Sequence, residues 1–210
     1  MEAIGTKQSH WDQVYTTKAL EQSSWYQPIP NISLGFTQQL SIAKDDAIID
    51  VGGGDSLLVD HLLDLGYQNI SVLDISPKAL ERAQNRLGER AKTVKWILAD
   101  AAKFEPTEQY DFWHDRAAFH FLTTEADIQH YAQTAAQAIK PGGFLVIGTF
   151  SEQGPKKCSG LEIKQYSEQD LVQVFENQFN KIFCQQSNHL TPSQATQQFT
   201  FCVLQRTHSN

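Results

Sequence analysis

Three consecutive glycines, Gly52 to Gly54, interrupt the apolar run in "IIDVGGGDSLL" and limit the fold more than any other feature of the chain. Glycine loses more conformational freedom on folding than any other residue. Three together, directly after a strand-like segment, require either a very tight turn or a ligand lying close to the backbone. Ala47–Val51 before them reads as a strand, and Leu58, Leu62 and Leu65 after them share one helical stripe that Gly66 closes. The same strand-then-helix unit recurs. Ile70–Leu73 reads as a strand and "DISPKALERAQNRL" as a helix with Pro77 in its first turn. Thr93–Leu98 and Tyr110–His114 are further strands, followed by a helix from about Glu125 to Ile139. "KPGG" then makes a sharp turn into the apolar strand "FLVIGTF". A helix over Glu168–Phe175 precedes two runs, Lys181–Ser187 and Gln198–Arg206, that can pair as a hairpin. Alternating strands and helices predict parallel units with right-handed crossovers. The expected fold is an α/β three-layer sandwich, with ligand at the C-terminal ends of the central strands.

The length of 210 residues fits one domain with a sizeable core. A formal net charge of −7 argues against a nucleic-acid partner, which would call for a basic face. The N-terminus lacks a signal pattern and no apolar run reaches membrane-spanning length, so a cytoplasmic protein with no membrane partner is expected. Cys158, Cys184 and Cys202 are odd in number and lack CxxC spacing. Neither a disulfide framework nor a metal site is expected; Cys184 and Cys202 read as small hydrophobes of the hairpin.

The glycine turn admits several ligands. A nicotinamide dinucleotide site would show GxGxxG, whereas Asp55, Ser56 and Leu57 follow the glycines here. Asp55 would also place a negative charge where a pyrophosphate would sit. A bare turn is the remaining alternative, and three features weigh against it. Asp74 ends the second strand, where a carboxylate can take both hydroxyls of a ribose. Asp100 in "ILADAAKF" follows the third strand, within reach of an adenine amino group, and "KPGG" precedes the fifth strand.

With these residues assembled, the chain resembles the class I S-adenosylmethionine-dependent methyltransferases. "DVGGGDS" looks like that family's acid-x-Gly-x-Gly-x-Gly loop, with Ser56 where a third glycine is usual. The resemblance covers roughly residues 45 to 150 and implies a Rossmann-like, mostly parallel seven-stranded sheet with a C-terminal antiparallel hairpin strand. It implies S-adenosyl-L-methionine as cofactor, with S-adenosyl-L-homocysteine as product. The implied cofactor residues are Asp50, Gly52 and Gly54 in the turn, Asp74 with Ile75, and Asp100 with Ala101. The lead-in "HWDQVYTTKALEQSSWY" is similar to a subgroup that includes elongation-factor and citrate-synthase lysine methyltransferases, which implies cofactor contacts for Trp11, Tyr15 and Trp25. Aromatic faces there would attract a sulfonium cation; packing on the sheet is the plainer alternative. Within a single domain of residues 1–210, residues 1–40 would form a lid, 45–150 the cofactor core, and 151–210 a substrate-side loop, helix and hairpin.

In "YDFWHDRAAFHFL", His114, Asp115, Arg116 and His120 are expected to gather where cofactor and acceptor meet. Arg116 matches a cofactor-contacting position of the resembling enzymes and could pair with the methionine carboxylate. Asp115 and His120 are the candidate catalytic residues, able to orient or deprotonate an acceptor; the alternative is a structural ion pair of Asp115 with Arg116 and a His120 packed under the loop. The loop "SEQGPKKCSGLEIKQYS" would cover the acceptor with Cys158 and Tyr166. The chemistry is in-line methyl displacement, in which alignment dominates. A small-molecule acceptor is expected, with a protein lysine second and a non-catalytic cofactor-binding partner protein third.

Overall fold

The computed structural model describes residues 4–208; residues 1–3 of the expected lid lie outside them. Helix α1 (Ile4–Thr17) and α2 (Asn31–Gln39) precede the sheet. The strands β1 (Ala47–Val51), β2 (Asn69–Asp74), β3 (Val94–Leu98), β4 (Tyr110–Arg116) and β5 (Ile139–Phe150) are separated by α3 (Leu58–Asp64), α4 (Pro77–Leu87) and α5 (Glu125–Ala138). After α6 (Glu168–Phe175) come β6 (Phe179–Leu190) and β7 (Thr196–Arg206). The sheet has seven strands in the order β3-β2-β1-β4-β5-β7-β6. β1 to β5 pair in parallel, whereas β7 runs antiparallel to both β5 and β6.

Each face of the sheet buries its own apolar cluster. Phe104, Trp113, Phe119, Tyr131 and Phe175 pack between the sheet and α5 and α6. Phe36, Leu58, Leu62, Leu80, Phe112 and Phe201 pack on the side of α2, α3 and α4. The alternating side-chain direction of a strand feeds both layers. On β4, Phe112 joins one cluster and Trp113 the other. Helix α4 starts where its sequence promised, with Ser76 accepting from the Ala79 N–H and Pro77 in the first turn.

The chain leaves β3 at one edge and returns as β4 on the far side of β1. The crevice opened by that reversal, at the C-terminal ends of β1 and β4, is where an open α/β sheet receives ligands.

Several local expectations change. β4 continues through Asp115 and Arg116, and "KPGG" lies inside β5 at a register irregularity between Tyr110 and Phe112. The free-cysteine expectation for the hairpin is also corrected. Cys184 and Cys202 stand opposite each other in the β6–β7 register, with Cα atoms 4.1 Å apart, and form a disulfide. Strand register decides this, and cysteine spacing alone does not reveal it. Cys158 is free and buried. Among the described residues, no helix is long and apolar enough to cross a membrane.

Candidate active site

The glycine turn holds its shape for reasons visible residue by residue. Gly52 and Gly54 have φ of 67° and 55°, a region costly for side chains with a Cβ. A Cβ on Gly52 would collide with Ala118, and one on Gly54 with the Tyr15 hydroxyl. At Gly53 it would lie 2.6 Å from Asp50 Oδ2 and 2.9 Å from Val72. The turn is pinned by Gly52 N–H and Gly53 N–H, which donate to the Leu73 carbonyl at 2.7 and 3.1 Å. Arg86 clamps its far end, donating to the carbonyls of Asp55 and Ser56 at 2.8 and 2.9 Å while pairing with Asp60. Ser56 departs from the family pattern without cost, because its φ is not positive and its Oγ accepts from the Leu58 N–H at 3.1 Å.

A cavity, partly open to solvent, opens beside this turn. Its lining includes Trp11, Tyr15, Trp25, Asp50, Gly52, Asp74, Ile75, Asp100, Ala101 and Arg116. Of the expected cofactor residues, Gly54 alone is set back, behind Tyr15 and Asp74.

The three carboxylates differ in their surroundings. Asp74 Oδ1 accepts from the Ser76 N–H at 2.8 Å. Burial pushes its carboxyl up to about 7, opposed by that hydrogen bond and helped by the nearby Asp55 charge. Asp100 accepts from the Ala102 N–H at 3.0 Å, capping a short turn of helix. Asp50 Oδ1 meets His114 Nδ1 at 2.7 Å. Asp55 does not face the cavity: it is fully buried and ion-paired with Arg82 at 3.0 Å. Arg116 has a buried Nη2 with no hydrogen-bond partner, while its Nη1 donates to the Trp25 carbonyl at 3.3 Å. Burial lowers its pKa to about 10, leaving the guanidinium charged at neutral pH. An unmatched buried cation at a cavity wall is built for an anionic group.

Aromatic rings roof the cavity. Trp11 lies 6.1 Å from both Tyr15 and Trp25, and 5.2 Å from Phe121, between ring centroids. The roof is anchored to α4 and its N-terminal cap. Ser76 Oγ donates to Asp12 at 2.5 Å, and Arg82 donates to the carbonyls of Tyr15 and Lys18 at 2.7 and 2.9 Å.

The expectation that Asp115 and His120 face an acceptor is corrected. Neither lines the cavity. Strand alternation sends His114 and Arg116 to the cavity side and Asp115 to the α5 side. There Asp115 accepts from the Tyr131 hydroxyl at 2.6 Å and from the N–H groups of Ala118 and Phe119. Its partners are these groups and not Arg116 among the described residues, so the ion pair considered for it falls too. His120 is fully buried between Phe121 and Phe150, and burial lowers its pKa to about 3. Tyr166 is buried against Phe119, away from the cavity, whereas Cys158 does reach it. Burial raises the Cys158 thiol to about 11, keeping it protonated.

Sequence reasoning missed Lys7 and Ser33 as cavity residues. Lys7 was findable: it sits four residues before Trp11, on the stripe that Tyr15 continues. Ser33 left no signal, since only the packing of α2 on β4 brings it to the cavity.

Residues 48–143 match the model of a family described as methyltransferase domain. That stretch is similar to a methyltransferase domain. Human EEF1A lysine methyltransferase 2 is 24% identical over 163 residues, covering 69% of this chain and 67% of that protein. Several curated relatives are longer, and the chain spans between 34% and 51% of their length. Two solved structures share the fold. One, described as the conversion of a disulfide bond into a thioacetal group during echinomycin biosynthesis, superposes with a TM-score of 0.79 at 19% identity, covering 97% of this chain and 94% of that one. The other, N-methyltransferase NodS from Bradyrhizobium japonicum WM9 with S-adenosyl-L-homocysteine, gives 0.69 at 14% identity, covering 94% and 98%. The matched stretch begins in β1 and ends in β5, so the roof and the hairpin flank it.

Proposed function

We propose that this chain is an S-adenosyl-L-methionine-dependent methyltransferase acting on a small-molecule acceptor. The observation that carries the reading is one cavity walled by the glycine turn, Asp74, Asp100 and the unmatched guanidinium of Arg116. That set suits an adenosyl amino acid. Asp74 would take the ribose hydroxyls, while Asp100, Ile75 and Ala101 would frame the adenine. Asp50 would meet the methionine ammonium and Arg116 its carboxylate. Gly52 and Gly54 would let the backbone approach, and Trp11, Tyr15 and Trp25 would cover the sulfonium. The bound cofactor supplies a methyl group on a good leaving group. The chain's own task is alignment and exclusion of water, for which the aromatic roof and its anchors are suited.

A small acceptor fits a cavity roofed by the rings of Trp11, Tyr15, Trp25 and Phe121. The human lysine methyltransferase among the relatives favours a protein lysine as the second reading. Tritiated-methyl transfer into a cell lysate separates them: label is expected in the small-molecule fraction, and label concentrated in one protein band overturns that choice. Calorimetry tests the cofactor. S-adenosyl-L-homocysteine should bind and NAD should not, and Asp74→Ala should weaken the adenosyl ligand at least tenfold. NAD binding without either adenosyl ligand would overturn the reading. Binding without label in any fraction would leave a non-catalytic cofactor-binding protein.

A further inference from the structure

Two buried side chains at the cavity wall, His114 and Ser33, continue from Asp50 in a chain that the cofactor assignment does not explain. His114 Nδ1 lies 2.7 Å from Asp50 Oδ1, and His114 Nε2 lies 2.9 Å from Ser33 Oγ. All three are buried, with relative exposures of 4% for Asp50, 2% for His114 and 2% for Ser33, yet each contributes to the cavity lining. They come from β1, β4 and α2, so only the tertiary fold brings them together.

The direction of the bonds follows from donor and acceptor chemistry. A carboxylate only accepts, so Asp50 holds the proton on His114 Nδ1. In the neutral ring Nε2 is then an acceptor, and the Ser33 hydroxyl must donate to it. A helical serine commonly bonds back to the carbonyl four residues earlier; Ser33 makes no such bond, and His114 is its side chain's hydrogen-bond partner. Its oxygen therefore keeps lone pairs free at the cavity wall. The titratable groups around His114 are Asp50 from β1, with Asp74 behind it, and Asp115 and Arg116 on its own strand, with the Cys158 thiol beside Arg116. Helix α2 contributes no charge, having no charged residue.

We propose that Ser33, His114 and Asp50 are a proton relay that deprotonates the methyl acceptor, and that the acceptor is a neutral X–H group, a hydroxyl foremost. This rests on the methyltransferase reading above. As the acceptor oxygen forms its bond to the methyl carbon, the sulfur–methyl bond breaks and its electron pair stays on sulfur. The acceptor's proton passes to Ser33 Oγ while the Ser33 proton moves to His114 Nε2. The imidazolium is stabilised by Asp50 and later loses its proton to water. Ser33 touches the acceptor; His114 and Asp50 act through it. A carboxylate acceptor, with no proton to lose, would leave the relay without a task.

The first test needs no acceptor. Nitrogen-15 NMR of His114 in the ligand-free protein at pH 7.5 should show a neutral ring protonated on Nδ1. A ring protonated on Nε2, or on both nitrogens, overturns the relay because Nε2 then cannot accept. Ser33→Ala should keep S-adenosyl-L-homocysteine affinity within twofold, and loss of that affinity would make Ser33 a cofactor ligand instead. With the acceptor fraction labelled in the lysate, Ser33→Ala should lower kcat ~100-fold with an unchanged KM for S-adenosyl-L-methionine. Ser33→Thr should restore much of it. An unchanged kcat overturns the relay, while failure of the wild-type chain to bind any adenosyl ligand overturns the methyltransferase reading instead.

Discussion

Asp74 and Asp115 both sit buried at strand ends, and burial raises both carboxyls, to about 7 and about 6 respectively. Their partners separate their tasks. Asp74 lines the cavity, so ligand hydroxyls that donate to it would favour its ionised form. Affinity for S-adenosyl-L-homocysteine should therefore fall as pH drops below about 7, approaching tenfold per pH unit, as calorimetry at pH 6 and pH 8 would show. The effect on stability has the opposite sign. A raised carboxyl pKa means the folded state holds its proton more tightly than the unfolded chain. The contribution of both residues is thus complete below about pH 4 and is lost as pH rises through about 6 to 7. Asp115 instead ties down the turn after β4. Asp115→Ala strips buried N–H groups and the Tyr131 hydroxyl of their acceptor and should cost about 2–4 kcal/mol in urea unfolding. Of the residues around the site, Asp74 and Asp100 were readable because strand ends of this fold meet ligands. His114 and Asp115 were not separable in the sequence, since adjacent residues look alike until the strand's alternation assigns each a face.

The β1–α3 turn and the α1 roof are elements held by a few charged groups. Gly52→Ala must move Ala118 or abandon its backbone angle, a strain of about 1–3 kcal/mol. We expect lowered thermal stability together with loss of adenosyl binding; retained binding would show that the turn does not approach the ligand. Arg82 connects Asp55, at the turn, with the end of α1. Arg82→Ala should raise amide exchange across α1 while leaving β1, β2 and β4 protected, and equal exchange in the two proteins would refute its anchoring role. The strands and helices of the central units were legible because period and capping agreed locally. The docking of α1 was not. Its weak amphipathic pattern says little, and its attachment depends on Asp12 meeting Ser76, two residues far apart in the chain.

Across the whole molecule, the sheet reversal at β1 and β4 makes the cavity and the β5–β7–β6 edge closes the fold. The strand alternation announced the parallel half. It did not announce the disulfide, because the hairpin's register is set by packing on β5 rather than by local sequence. The Cys184–Cys202 bond closes a loop with a sequence separation of 18 residues. Reduction, or replacement of both cysteines by serine, should lower stability by ~2–3 kcal/mol. A matched melting temperature in oxidised and reduced protein would refute that. The aromatic roof has an optical consequence. Of the four tryptophans, Trp11 and Trp25 line the cavity, while Trp113 is buried under α5 and Trp96 lies on β3. Half of the indole chromophores thus stand at the ligand's wall. Occupation of the cavity should alter the intrinsic emission of this chain, making the unlabelled protein its own reporter of what it holds.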